Sequence, residues 1–261
     1  MLRKRIIFTL IYSQDFFMQS RNFRLQRVGD INWLEKHYHF QKISFFIDEL
    51  IVLNASRETK SIDDFSKMVS RLTKNIFIPI AAGGGIRTVE DAEILFNNGA
   101  DKIVLNSSIY QDTHLVEELV NNYGSQSIIA SIDYKNINGV KDVFIFDGTT
   151  KIDLTLGNYI IYVENLNIGE IYLNSIDKDG TGFGYDFETI NDLKNNLKVP
   201  LIIAGGAGNE RHLLEGLNTC QVSAVATANL FNFLGNSLPI ARNKIINAGV
   251  NIAPWEFSSG V

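Results

Sequence analysis

Three kinds of residue in this chain could do chemistry, and each falls at a recurring place. Glycines cluster twice, as Gly83-Gly84-Gly85 and as Gly205, Gly206 and Gly208, each after a short apolar run and before a helix-like stretch. Glycine lets backbone N–H groups approach a phosphate closely and opens positive φ angles. A helix start just beyond adds a favourable dipole. Asn106-Ser107-Ser108 and Ala228-Asn229 end the apolar runs that follow, and their amides and hydroxyls would complete two anion cradles. One glycine cluster alone would equally be a tight turn. The pattern is stated twice, however, in residues 78–108 and 199–230, with 22 residues from Gly84 to Asn106 and 23 from Gly206 to Asn229. Repetition at this scale marks duplicated βαβ units, and two cradles in one barrel predict a ligand with two phosphates.

The second kind is acidic. Ser131-Ile132-Asp133 ends an apolar run, and an aspartate where strand becomes loop is well placed for general acid/base work, although it could also cap the next turn. Asp177-Lys178-Asp179-Gly180-Thr181-Gly182 mixes acids with Gly and Thr and suits a ribose or phosphate contact, with Asp179, Gly180 and Thr181 as the contacts. It is no EF-hand, because no Glu stands at the required spacing. The third kind is a set of charges at strand starts: Arg5, Glu49, Lys102 and Glu170. Strand starts are often simply solvated, but two cations and two anions at one end of a barrel can close a mutually satisfied ring, a plug or gate on the barrel axis. The four histidines (His37, His39, His114 and His212) fall in helix-like regions and read as surface residues. No metal and no cofactor are expected.

The elements that must position these residues are legible as eight apolar runs: Arg5–Leu10, Glu49–Leu53, Ile76–Ala81, Lys102–Leu105, Ser127–Ile132, Glu170–Leu173, Leu201–Ala204 and Ala224–Ala228. Most are continuous rather than alternating, as in strands covered on both faces. Helix-like stretches separate them. One is capped by Thr88 with Asp91 three residues on and ended by Gly99. Another starts at Asp112, and a third carries the stripe Leu156, Tyr159, Ile160, Val163, Leu166. The fold class is therefore α/β, a single (β/α)₈ TIM barrel with a twofold half-barrel repeat, over residues 1–254, with a tail at 255–261. The 261 residues fit one such barrel, which takes about 250. A hydrophobic fraction of 45% is that of a globular chain, and a net charge of −5 with scattered Lys and Arg provides no field for nucleic acid. No apolar run approaches the ~20 residues of a membrane span. One cysteine, Cys220, allows no disulfide framework. These features predict a cytoplasmic protein.

On MLRKRII, GGGIRTVEDAE, GADKIVLNSS, GSQSIIASIDYK, GEIYLNSIDKDGTGFGYD and AGGAG, the chain resembles the cyclase subunit of imidazole glycerol phosphate synthase, over about residues 1–254. The resemblance implies a lyase-type barrel that binds a phosphorylated small molecule and forms a heterodimer with a glutaminase subunit, whose ammonia crosses the barrel. It places an ammonia gate on Arg5, Glu49, Lys102 and Glu170. It places phosphate sites on Gly84, Gly85, Asn106, Ser107, Gly180, Gly205, Gly206, Ala228 and Asn229, and one catalytic aspartate on Asp133. The second is absent: the family's Cys-Leu-Asp-Val reads here Thr9-Leu10-Ile11-Tyr12. A family lysine falls at Gln19, a family aspartate at Asn54, and the Leu53–Ser56 segment is about two residues short. Together with Ser56-Arg57-Glu58 this is similar to a paralogous branch associated with surface-polysaccharide genes. There the ammonia is thought to serve a separate amidotransferase that forms an acetamidino group on a sugar. Two rival expectations stand beside this one. The first is a working cyclase of histidine biosynthesis with Asp15 as compensating acid. The second is a scaffolding subunit with no ligand. The isomerase of the same pathway also shares the two-phosphate barrel but matches these pieces less well.

Overall fold

The structure, a computed structural model, describes residues 3–38, 45–57, 60–74, 76–193, 197–232 and 237–254. Their strands are β1 (Arg5–Ser13), β2 (Phe16–Arg21), β3 (Arg24–Gly29), β4 (Glu49–Asn54), β5 (Ile80–Gly83), β6 (Lys102–Leu105), β7 (Ile128–Ile137), β8 (Val140–Ile145), β9 (Thr150–Thr155), β10 (Glu170–Ser175), β11 (Leu201–Ala204) and β12 (Val222–Thr227). Eight of them run parallel in the order β10-β11-β12-β1-β4-β5-β6-β7, and pairing of β7 with β10 closes the ring. Helices lie between these strands, so the fold is a (β/α)₈ barrel.

The barrel wall follows the strict alternation of a strand. On β1, Ile6, Phe8, Leu10 and Tyr12 face the outer layer of helices, while Ile7 turns inward to meet Ile51, Ala81, Val104, Ile129, Tyr172, Ile202, Ala204, Ala224 and Ala226. Because both faces are buried, the runs read as continuous hydrophobic sequence. The strand starts match the sequence reading closely. The exception is β5, which begins at Ile80 rather than Ile76, because Pro79 carries no N–H to donate to a neighbouring strand. The helix Val89–Asn97 has the expected capping box between Thr88 and Asp91, and Gly99 follows it at φ +98. The helix Thr113–Tyr123 starts from an Asp112 side chain that accepts from Leu115 N–H, and the apolar stripe from Leu156 forms the helix Leu156–Glu164.

Four strands were not anticipated. β1 continues into the antiparallel β2 and β3, and β7 into β8 and β9. Two-residue turns with positive φ make the connections at Gln14-Asp15, Asn22-Phe23 and Asn138-Gly139, the left-handed geometry that matches the twist of a hairpin. These hairpins rise at the C-terminal ends of the barrel strands and wall the mouth. The tail 255–261 and His39 lie outside the described residues. No helix among the described residues is long and apolar enough to cross a membrane.

Candidate functional site

At the C-terminal ends of the strands lies a cavity of about 420 Å³, where such barrels carry their sites. Its lining brings together Gly84, Gly85, Asn106, Ser107, Asp133, Asp179, Gly180, Gly205, Gly206, Ala228 and Asn229. Both glycine clusters adopt backbone that only glycine takes easily. Gly84 has φ +100, and a methyl group on it would sit 2.2 Å from Asn54 O; Gly206 has φ +108, and its methyl would sit 2.1 Å from Gly184 O. The backbone is thus packed to the point where a Cβ cannot enter.

Asp133 ends the inward-facing row of β7 and is 8% exposed. Asn106 Nδ2 donates to its Oδ2 at 3.0 Å and Asn174 Nδ2 to its Oδ1 at 3.1 Å. Burial pushes its carboxyl up to about 7, the two amides pull the other way, and the charges of Asp147 and Asp179 add to the rise. A carboxyl poised near neutrality can both take and return a proton. Below it, Tyr172 reaches across the barrel so that its hydroxyl lies 3.1 Å from Thr9 Oγ1, three strands away, and both residues line the cavity floor. Ile11 lies on the β1 side of the cavity, paired with Leu53 on β4 and Met18 on β2, so that side of the cavity wall is apolar.

Four expected residues are elsewhere or otherwise engaged. Thr181 does not line the cavity, since its hydroxyl donates to Lys178 O at 2.7 Å and closes a local turn. Asp15 is also absent from the lining; it accepts from Tyr12 Oη at 2.8 Å, on the outward face of β1. It therefore provides no acid beside Ile11. His212 is not a surface residue: it is 6% exposed, and its Nδ1 accepts from Gly208 N–H at 3.1 Å beside the second cradle. His37 and His114 are exposed. Asp179 does line the cavity, but its Oδ2 accepts from Ser20 Oγ at 2.5 Å and Phe23 N–H at 3.0 Å, which ties the β2–β3 turn over the mouth. Burial raises its carboxyl, against those two hydrogen bonds.

Lys60, Asp147, Asn174 and Tyr172 also line the cavity and were not singled out from sequence; Arg57, named there only within Ser56-Arg57-Glu58, lines it as well. The Asn138-Gly139 pair was the available signal for the second hairpin, because Asn-Gly is the strongest short-range hairpin mark. The placement of Asp147 at that hairpin's far end would have followed from it.

At the strand starts the four charges do close a ring. Arg5 Nη1 donates to Glu49 Oε2 at 2.7 Å and to Glu170 Oε1 at 3.1 Å, and Arg5 Nη2 to Glu170 Oε2 at 2.9 Å. Lys102 Nζ reaches Glu49 Oε1 at 3.0 Å and Glu170 Oε1 at 3.1 Å. Glu49 is 2% exposed; desolvation raises its carboxyl, against the two cations. At the less enclosed Glu170 desolvation also raises the carboxyl, but the hydrogen bonds and charges of Arg5 and Lys102 together outweigh it and lower the carboxyl.

A closed eight-stranded barrel with a duplicated half and glycine-lined strand ends defines the class as a two-fold repeated (β/α)₈ barrel. Within that class the chain belongs to the histidine biosynthesis protein family, which matches residues 22–236. Its relatives are the HisF subunits of imidazole glycerol phosphate synthase. A protein of Parasynechococcus marenigrum (strain WH8102), provisionally named imidazole glycerol phosphate synthase subunit hisF2, is 45% identical over 260 residues, 99% of this chain and 97% of its own. Imidazole glycerol phosphate synthase subunit HisF of Chloroherpeton thalassium is 34% identical over 253 residues, 97% of this chain and 99% of its own. The subunit of the same name from Exiguobacterium sibiricum is 34% identical, over 97% of this chain and all of its own.

Proposed function

We propose that this chain is the barrel subunit of a glutamine amidotransferase complex in the cytoplasm. In this reading a glutaminase subunit docks at the strand starts. Ammonia enters through the Arg5–Glu49–Lys102–Glu170 ring, and a phosphorylated small molecule is held between the two glycine cradles at the opposite end. The relatives' names, each a subunit of a synthase, support the assignment to a multi-subunit assembly.

The observation that carries the finer reading is an asymmetry between the two ends of the barrel. At the floor, every charge has its partner within 3.1 Å. At the roof, Asp133 is the only one of the two expected acids present, and the position of the second holds Ile11, with Leu53 beside it and Asp15 turned away. A hydrocarbon neither moves a proton nor stabilises developing positive charge, and losing a general acid/base typically costs ~10²–10⁴-fold in rate. The chain is therefore relaxed from imidazole glycerol phosphate synthesis. Its ammonia serves a separate amidotransferase that builds an amidino group on a sugar. What remains at the roof is a binding site in which Asp133 can hold or return a proton near neutral pH.

The test is turnover of the two-phosphate cyclase substrate with ammonium salt by the purified chain, beside the Chloroherpeton thalassium subunit under identical conditions. The expected rate is lower by about a hundredfold or more. Equal rates would show a working cyclase and overturn the relaxed reading.

A further inference from the structure

The turn between β8 and β9 sits on the first glycine cradle. Phe146 N–H donates to Ser107 Oγ at 2.9 Å. Lys60 Nζ donates to Asp147 Oδ1 at 3.0 Å and Oδ2 at 3.2 Å. Lys60 itself lies across Gly85, where a methyl group would meet its Cβ at 2.7 Å. A cation that lies against Gly85 and the serine hydroxyl at the cradle's edge are thus both engaged by one turn, and the group that the lysine holds is an anion.

We propose that Lys60 is the cation of the first phosphate cradle and that Asp147 is its built-in competitor, displaced when a phosphate monoester binds. The inference deepens the function proposed above and rests on its phosphorylated ligand. Energetics permit the exchange. Lys60 and Asp147 are 22% and 27% exposed, and partly solvated ion pairs contribute at most about 1 kcal/mol. A phosphate offers more charge and three strong acceptor oxygens, and its charge-assisted hydrogen bonds are roughly twice as strong as neutral ones. The turn carries Phe146 and Asp147 at φ 53 and 55 and is closed by its own hydrogen bonds from Thr149 to Ile145 O and Phe146 O, so it can leave the lysine as a unit. Gly148 in the same turn packs on Phe23, the residue whose N–H is tied to Asp179. Binding of phosphate at Gly84 and Gly85 would therefore be felt by both hairpins that wall the mouth.

The experiment is a titration of the full-length ¹⁵N-labelled chain with inorganic phosphate. The amides of Gly84 and Gly85 report the first cradle, and those of Gly205 and Gly206 report the second as an internal control. Asp147→Asn should tighten the first cradle by about threefold to tenfold and Lys60→Gln should weaken it by about tenfold, while neither moves the second. Lys60→Arg should retain most of the affinity, and the double variant should match Lys60→Gln, since no cation is left to compete for. An unchanged first-cradle affinity in Asp147→Asn, or equal weakening of both cradles in Lys60→Gln, overturns the competition. If that happens while both cradles still saturate, the phosphorylated-ligand reading stands and only the competition falls. Saturation of neither cradle in either the wild type or Asp147→Asn overturns both.

Discussion

Replacing Asp133 by asparagine should abolish a fall in stability that this protein undergoes between acid and neutral pH. Burial lifts the Asp133 carboxyl from 3.8 to about 7 in the folded chain. Because the folded value lies above the unfolded one, the folded state binds the extra proton between these limits. Its stabilising effect is fully present below pH ~4 and is lost as pH rises through about 7. The difference between 3.8 and about 7 corresponds to about 4 kcal/mol, since a tenfold change in proton affinity is worth about 1.4 kcal/mol. With Asp133 only 8% exposed, solvent does little to reduce this. Asparagine cannot ionise, so its variant should be close to wild type at pH ~4 and more stable by up to about 4 kcal/mol at pH ~8. Urea unfolding followed by far-UV circular dichroism, at half-unit intervals across this range, measures the difference curve directly. Parallel curves for the two proteins would refute the argument, because they would mean that Asp133 titrates alike in the folded and unfolded chain.

Lys102→Met leaves Glu49 buried with Arg5 alone and should cost about 3–5 kcal/mol; a melting temperature within a degree of wild type would contradict the closed ring. Arg242, 3% exposed, ties the helix Ser237–Asn247 to Asp48 through two hydrogen bonds of 3.1 and 2.8 Å, and Arg242→Met should destabilise by a similar amount, about 3–5 kcal/mol, in the same urea assay. Tyr172→Phe removes one buried hydrogen bond to Thr9 and should cost about 1 kcal/mol, an effect that a phenol free of Thr9 would not show. Ile11→Asp restores an acid at the cavity and should raise ammonium-dependent cyclase turnover by ~10²-fold or more; no gain would place the missing chemistry elsewhere.

The eight barrel strands, the two glycine clusters at strand ends and the four charges at the strand starts were all legible in the chain. Each rests on a local rule: continuous apolar runs, glycine where backbone must turn tightly, and a charged residue as the first residue of a strand. The hairpin extensions β2–β3 and β8–β9 were not read, although Asn138-Gly139 marked the β7–β8 turn that leads into the second of them. Their strands are short and half-exposed, with no clean alternation. Thr181 was assigned to a phosphate because composition does not show which way a hydroxyl points. The buried place of His212 likewise depends on Gly208, which the chain brings back to it through a turn.

The sequence by itself determined the barrel, its repeat and the absence of a carboxylate at Ile11, since these follow from residue type and periodicity along one strand or one turn. Only the tertiary structure decided that Arg5, Glu49, Lys102 and Glu170 meet in one ring, that Asp133 is raised to about 7, and that Lys60 faces Asp147 at 3.0 Å. Those are properties of distance and desolvation between residues 27 to 165 positions apart. Closure of the sheet brings them together, and no local pattern encodes it.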